Sequence, residues 1–274
     1  MPRVPQLAST EWGAGPPVLL VHGLNGFKEG WGALPGALAA AGHRVVAVDL
    51  PGSGDSRRLR GAHTPEAMAR AVGEVLDGLG PAAVVAHSLG AQAAVLAAVR
   101  PGARVRGLAL VAPFAMPRRR RIPPHGPADL INLPLVGGAV GVVAIALARR
   151  DRERRRAFLS AIADPGRLAA DPGMRALLDD ADDRLAHADL GALVSWARAG
   201  MAFDLRRVAP RVTVPALVVV GDRDRVARPE GGIQMVAAMV RGTLLRVPDA
   251  AHFPHLERAD LVVPAIVSHI GGLG

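Results

Sequence analysis

The chain has 274 residues, half of them hydrophobic, which is enough for one large domain or for a core carrying an insertion. It contains no cysteine and no tyrosine, so disulfides, thiolate metal sites and a cysteine nucleophile are excluded; aromatic residues are only 3%, leaving core volume to Ala, Val and Leu. The net charge of +9 is almost entirely arginine, with Lys28 the only lysine, a bias that reads as coding composition rather than function.

The N-terminal Met1-Pro-Arg-Val-Pro-Gln lacks the long apolar stretch of a secretory signal, and a cytoplasmic protein is the expectation. Pro17–Val21 is an apolar run ending at His22-Gly23, and residues 32–41 suit a short helix. Arg44–Asp49 reads as a buried strand closed by Leu50-Pro-Gly-Ser-Gly54. Thr64-Pro65-Glu66 has the form of a helix start, with Thr64 as N-cap and Pro65 at the first helical position, for a helix reaching Leu79. Ala82–Ala86 and Val105–Val111 are further short apolar strands, the first followed by a helix from Leu89 to Arg100. Apolar runs alternating with helices imply a parallel sheet covered on both faces.

That rhythm breaks after Pro113 and resumes at Pro215–Val220, followed by a helix at 232–239, a strand at Thr243–Val247 and a last helix from about Leu256 that Pro264 should kink. The expected organisation is an α/β core formed by residues 1–113 and 211–274, with a helical cap inserted at 114–210. Leu130–Ala148 has no charge and the length of a membrane span, but Pro134, Gly137, Gly138 and Gly141 weaken it as a helix. A crossing there would also divide one sheet between two sides of a membrane. It is therefore read as a buried or pocket-lining cap segment, with shallow contact at a lipid surface as the other reading. The arginines crowd into 118–121 and 149–156 with no aromatic residues between them. A solvated charged face is expected there, and no nucleic-acid partner.

The chemistry gathers at strand ends. Ala82-Ala-Val-Val-Ala-His-Ser-Leu-Gly-Ala91 places Ser88 between small residues, Ala86 and Gly90, where a strand turns tightly into a helix. Such a turn exposes the hydroxyl beside the unpaired N–H groups of the helix start, which favour an oxyanion. A serine needs a base, and the base needs an acid to orient it. The acid candidates follow Val220: Asp222 and Asp224, with Asp224 preferred because it sits further into the loop. The base candidates follow Val247: His252 and His255, with His252 preferred because it precedes the last helix. His87, next to Ser88, should point away from it. Oxyanion donors are the N–H of Leu89 and, from the loop after Val21, that of Leu24, with Gly23 allowing close approach. His22, Gly23, Phe114 and Trp196 are expected to line the substrate site, and no metal site or cofactor is expected.

The segments VLLVHGLNG, VVAVDLPGSGDS, VVAHSLGAQ, ALVVVGDRDRVARPE and VPDAAHFPHLE, in this order, resemble the α/β-hydrolase fold superfamily over nearly all of the chain outside 114–210. The resemblance implies a mostly parallel, doubly wound sheet with an inserted cap. It also implies Ser88 as nucleophile, His252 as general base, Asp224 as its orienting acid and Leu24 and Leu89 as oxyanion donors. Two departures are Ala86, where the pattern usually has glycine, and a short N-terminus that should reduce one or both of the leading antiparallel strands. The implied activity is serine-dependent hydrolysis of an ester or related carbonyl compound, a small and mainly apolar molecule. Carbon–carbon bond hydrolysis, perhydrolysis, acyl transfer, lyase chemistry and ligand binding without turnover are the alternatives.

Overall fold

A computed structural model describes residues 6–117, 153, 163 and 172–273. The apolar runs form the expected strands β2 (Pro17–Val21), β3 (Arg44–Val48), β4 (Ala82–His87), β5 (Val105–Val111), β6 (Ala216–Gly221) and β7 (Gly242–Val247), preceded by β1 (Ser9–Trp12). Among the described residues these make one sheet in the order β1-β3-β2-β4-β5-β6-β7. Every neighbouring pair is parallel except β1 with β3. β1 is the leading antiparallel strand expected to be reduced. It survives as four residues in register with Val45–Val48.

Helices cover both faces. On one side α2 (Pro65–Leu79), α3 (Gly90–Ala98) and α6 (Pro229–Ala237) bury a cluster that includes Leu19, Val21, Val84, Ala86, Met68 and Leu110. On the other, α1 (Leu34–Ala40) and α8 (Ala259–Gly271) cover Val18, Leu20, Val85, Ala109 and Val219. Successive strand residues alternate between the two clusters, as the two-residue period of a strand requires. The start of α2 follows its sequence: the Thr64 hydroxyl accepts from the Ala67 N–H at 3.2 Å and Pro65 opens the helix.

Some boundaries differ from expectation. α6 starts at Pro229, so Gly231 and Gly232 lie inside the helix. A Cβ on Gly232 would come within 2.5 Å of the Val220 side chain, so this helix lies against β6 more closely than any other residue there allows. The last helix is divided after the short α7 (Pro254–Glu257), and α8 continues through Pro264 without a break. The divide falls at Arg258 rather than at the proline.

Between β5 and β6, the described residues form α4 (Pro172–His187), α5 (Leu190–Ala202) and two short 3₁₀ turns, Leu205–Arg207 and Ala209–Arg211. α5 is fixed over the core by polar contacts. Gln92 Nε2 donates to the carbonyls of Phe114 and Gly200, both at 2.9 Å, and the His63 N–H donates to Ser195 Oγ at 3.0 Å. The charge-free stretch Leu130–Ala148 and the arginine runs 118–121 and 149–156 lie outside the described residues, Glu153 apart. No described helix is long and apolar enough to cross a membrane.

Candidate active site

Ser88 stands between β4 and α3 in a left-handed conformation, φ +52°, which a side-chain-bearing residue adopts only when its surroundings hold it there. Three main-chain bonds do so. The Ser88 N–H donates to the Val111 carbonyl at 3.0 Å, and its own carbonyl accepts from Ala91 and Phe114 N–H, each at 3.2 Å. The small neighbours are a steric need. A Cβ on Gly90 would lie 2.2 Å from the His22 carbonyl oxygen, and one on Gly23 would lie 2.8 Å from Ser88 Cβ. Ala86 is fully buried in the sheet, where a methyl group is accommodated in place of the usual glycine hydrogen.

His252 and Asp224 come to this point from the loops after β7 and β6. His252 Nε2 is 2.9 Å from Ser88 Oγ, and His252 Nδ1 is 2.8 Å from Asp224 Oδ2. All three residues are at least 95% buried. The other Asp224 oxygen accepts from the Val226 and Ala227 N–H groups at 2.7 and 2.9 Å, so the carboxylate is fixed by its own loop. A carboxylate at Nδ1 keeps the ring proton there and leaves Nε2 as the acceptor facing the hydroxyl. Asp222 is outside this chain of bonds and pairs with Arg246 at 3.0 Å. His255 is outside it too. It is buried against Trp31, ring centroids 5.4 Å apart, with its Nδ1 unpartnered among the described residues.

Among the described residues, neither the Leu24 nor the Leu89 N–H donates a hydrogen bond. Both flank the elbow: Leu89 follows Ser88, and Leu24 sits in a tight turn closed by Gly26 N–H to Gly23 O at 3.1 Å. Phe114 and Trp196 are both buried in the cluster that contains Leu89, so they also pack α5 onto the core.

His22 is held on both sides of its ring. Its Nδ1–H donates to the Gly23 carbonyl at 2.7 Å and its Nε2 accepts from the Leu50 N–H at 2.9 Å, so both ring nitrogens are used inside the protein. Burial lowers its pKa, opposed by the bond to Gly23 and the charge of Asp49. The ring is therefore a strut between two loops.

Two neighbours of His252 were not anticipated as parts of the site. His87 reaches the base rather than Ser88: its Nε2–H donates to the His252 carbonyl at 2.9 Å, and the two rings are 4.9 Å apart. Burial first, then the proximity of His252 and His255, holds His87 well below the usual histidine range, so it is neutral. Glu257 accepts from the N–H groups of Ala251 and Phe253 at 2.7 and 2.9 Å, clasping the loop on either side of His252. The only sequence signal for it is an acidic residue five positions after a histidine at a helix start.

Among the described residues no group of three or more His, Asp or Glu is arranged to hold a metal ion. The arrangement presents a hydroxyl, an oriented imidazole and two unengaged amides in a water-poor setting, which suits attack on a carbonyl carbon.

Comparison with known proteins agrees. Residues 18–265 match the alpha/beta hydrolase family. The pimeloyl-[acyl-carrier protein] methyl ester esterase of Neisseria meningitidis serogroup A is 30% identical over 244 residues, 89% of this chain and 73% of that one. The enzyme of the same name from Chromobacterium violaceum is 28% identical over 266 residues, covering 94% and 95%. Among solved structures, the enol-lactonase from Burkholderia xenovorans LB400 superposes with a TM-score of 0.78 at 25% identity, over 96% of this chain and 95% of that one. With the family match spanning nearly the whole sheet and its flanking helices, the chain belongs to the alpha/beta hydrolase family.

Proposed function

We propose that the protein is a serine esterase that works through an acyl-enzyme on Ser88. The reading rests on one observation above all, the continuous path Ser88 Oγ–His252 Nε2, His252 Nδ1–Asp224 Oδ2 at 2.9 and 2.8 Å. Ser88 Oγ attacks the ester carbonyl as His252 Nε2 takes its proton. The carbonyl electron pair moves to oxygen, and the resulting oxyanion lies against the N–H groups of Leu24 and Leu89. The carbonyl re-forms, the C–O bond to the alcohol breaks, and His252 gives its proton to the departing oxygen. Water, deprotonated by the same imidazole, repeats the attack on the acyl-enzyme and releases the acid. The enzyme needs no cofactor for these steps.

Residues 114–210 form the cap in this reading. Phe114 and Trp196 bring apolar surface next to Leu89, which favours an ester with an apolar acyl part. Two relatives are named for a methyl ester, so methyl esters of medium-chain acids are the first substrates to test.

The decisive experiment combines substitution with labelling. Ser88→Ala should lower turnover of p-nitrophenyl butyrate by at least about 10³-fold, with folding unchanged. A fluorophosphonate should label the native enzyme once, at Ser88. Turnover retained in Ser88→Ala, or labelling at another residue, would overturn the assignment.

A further inference from the structure

Lys28 is the one lysine beside 32 arginines, from 33 basic residues in all, and it is buried at 6% exposure. It lies four residues after Leu24, at the far end of the turn that carries the Leu24 amide. An ammonium has three N–H donors, and here three carboxylates receive them: Asp49 Oδ2 at 3.0 Å, Glu29 Oε1 at 3.1 Å, and Asp55. Burial opposes the charge, but the hydrogen bonds to Asp55, Asp49 and Glu29 outweigh it and raise the pKa.

Asp49, fully buried at the end of β3, also receives main-chain bonds. Its Oδ1 accepts from the Lys28 N–H at 2.7 Å and its Oδ2 from the Asp55 N–H at 2.9 Å. Gly54 lies directly on this carboxylate: a Cβ there would be 2.2 Å from Oδ2. At the near end of the same turn, His22 is bonded to Leu50 N–H and Gly23 O. The segment 22–28 is thus tied at both ends to the segment 49–55, and the Leu24 N–H lies between the ties. α4 adds a third hold. Its Arg184 pairs with Glu29 at 3.2 Å and lies over the Phe27 ring, 4.6 Å from the centroid.

We propose that Lys28 is a positioning residue for the oxyanion donor Leu24, and that its compact ammonium is what the site requires. A guanidinium is planar, larger and forked, and it cannot occupy the centre of three converging carboxylates without moving the loop. The inference builds on the esterase reading above.

The test compares Lys28→Arg with Lys28→Met, using p-nitrophenyl butyrate as substrate and a trifluoromethyl ketone that forms a tetrahedral adduct on serine. Lys28→Arg keeps the charge and so avoids leaving Asp49 unpaired. It should lower kcat about tenfold or more with KM within about twofold, because displacing a donor weakens only the oxyanion-bearing state. Affinity for the trifluoromethyl ketone should fall by the same factor as kcat/KM. Lys28→Met should do the same to a greater extent, and if it does not fold, the arginine variant decides. If neither folds, Asp55→Asn, at the most exposed of the three partners, should lower kcat at unchanged KM. Wild-type kcat and ketone affinity in Lys28→Arg overturn the proposal, as does a loss confined to KM. If Ser88→Ala is inactive while Lys28→Arg is unaffected, only this inference fails. If Ser88→Ala is active, the esterase reading fails.

Discussion

Two buried aspartates end two strands of the same sheet, and they are built alike. Asp224, after β6, uses one oxygen to hold the amides of its own loop and presents the other to His252. Asp49, just after β3, also combines main-chain amides with a basic side chain: Oδ1 accepts from the Lys28 N–H, and Oδ2 from both the Asp55 N–H and the Lys28 ammonium. What differs is the base. An imidazole can lose and regain a proton near neutral pH, whereas an ammonium surrounded by three carboxylates keeps its protons. On the proposed mechanism, a similar local design would give a proton-transfer pair in one place and a fixed clamp in the other. Burial alone does not distinguish the two aspartates; the kind of base each one faces does.

Substituting asparagine at each aspartate separates these roles, and the largest effect falls at Asp224. In Asp224→Asn the side-chain amide would keep an acceptor for the Val226 and Ala227 N–H groups but turn its own N–H toward His252 Nδ1. The ring proton would then move to Nε2, facing Ser88 as a donor. The expected loss in kcat is about 10⁴-fold with a melting temperature close to wild type. Asp49→Asn should behave in the opposite way. It leaves the buried Lys28 with less counter-charge, and removing one partner of a buried pair typically costs about 3–5 kcal/mol. Stability by urea unfolding should fall by that order, while kcat falls far less than in Asp224→Asn. If the two variants lose activity and stability in the same proportion, the distinction between proton relay and clamp is wrong.

Much of the Asp224 side was legible in the sequence, and little of the Asp49 side was. Strand ends announce themselves where an apolar run stops, so Asp224 after Val220 and His252 after Val247 could be placed from the sequence alone. Ser88 is marked by its small neighbours, which the close approach of the His22 and Val21 carbonyls makes obligatory. By contrast, Lys28 and Asp49 are 21 residues apart in unlike segments, and nothing local ties one to the other. The bond from Leu50 N–H to His22 Nε2 is equally hidden, since it joins segments 28 residues apart. The residues of β1 could not be placed because Ser9–Trp12 carries no apolar run; only pairing with β3 makes it a strand. At Pro264 the local rule misled in the other direction. Val262, Val263 and Ile266 are buried against the sheet, and that packing keeps the helix continuous across the proline.

Acid should reach the imidazole side of the comparison first. His252 is packed against His87 and, through it, His255, whose ring centroid is 5.1 Å from that of His87. Burial, aided by nearby His252, lowers the His255 pKa to about 3. A histidine kept neutral in the folded state but free to protonate when unfolded near pH 6.5 gives stability that is complete above that pH. The stability is lost as pH falls toward the folded-state value, at about 1.4 kcal/mol per pH unit for each such group. His255→Leu removes one of these groups without removing a hydrogen bond at Nδ1, which has no partner among the described residues. Between pH 6 and pH 4 the variant should lose about 2.5 kcal/mol less than the wild type in urea unfolding. Equal slopes for the two proteins would mean that His255 is protonated, or exposed, in the folded enzyme.

The smallest effect belongs to an acid–base pair that has neither burial nor a shared loop. Arg44 on β3 meets Glu11 on β1 with N–O distances of 2.9 to 3.1 Å, as short as the contacts of Lys28 with Asp49 and Glu29, but both side chains are more than 40% exposed. In solvent the attraction is screened and the ordering of two long side chains offsets it, so such pairs contribute about 0.2–1 kcal/mol. Arg44→Ala should therefore lower urea stability by less than about 1 kcal/mol, less still in 0.5 M salt, with kcat and KM unchanged. A loss approaching that of Asp49→Asn would show that pairing at the sheet edge, rather than enclosure of the charge, governs how much these contacts hold. The contrast between clamp and relay would then have to be argued from geometry alone.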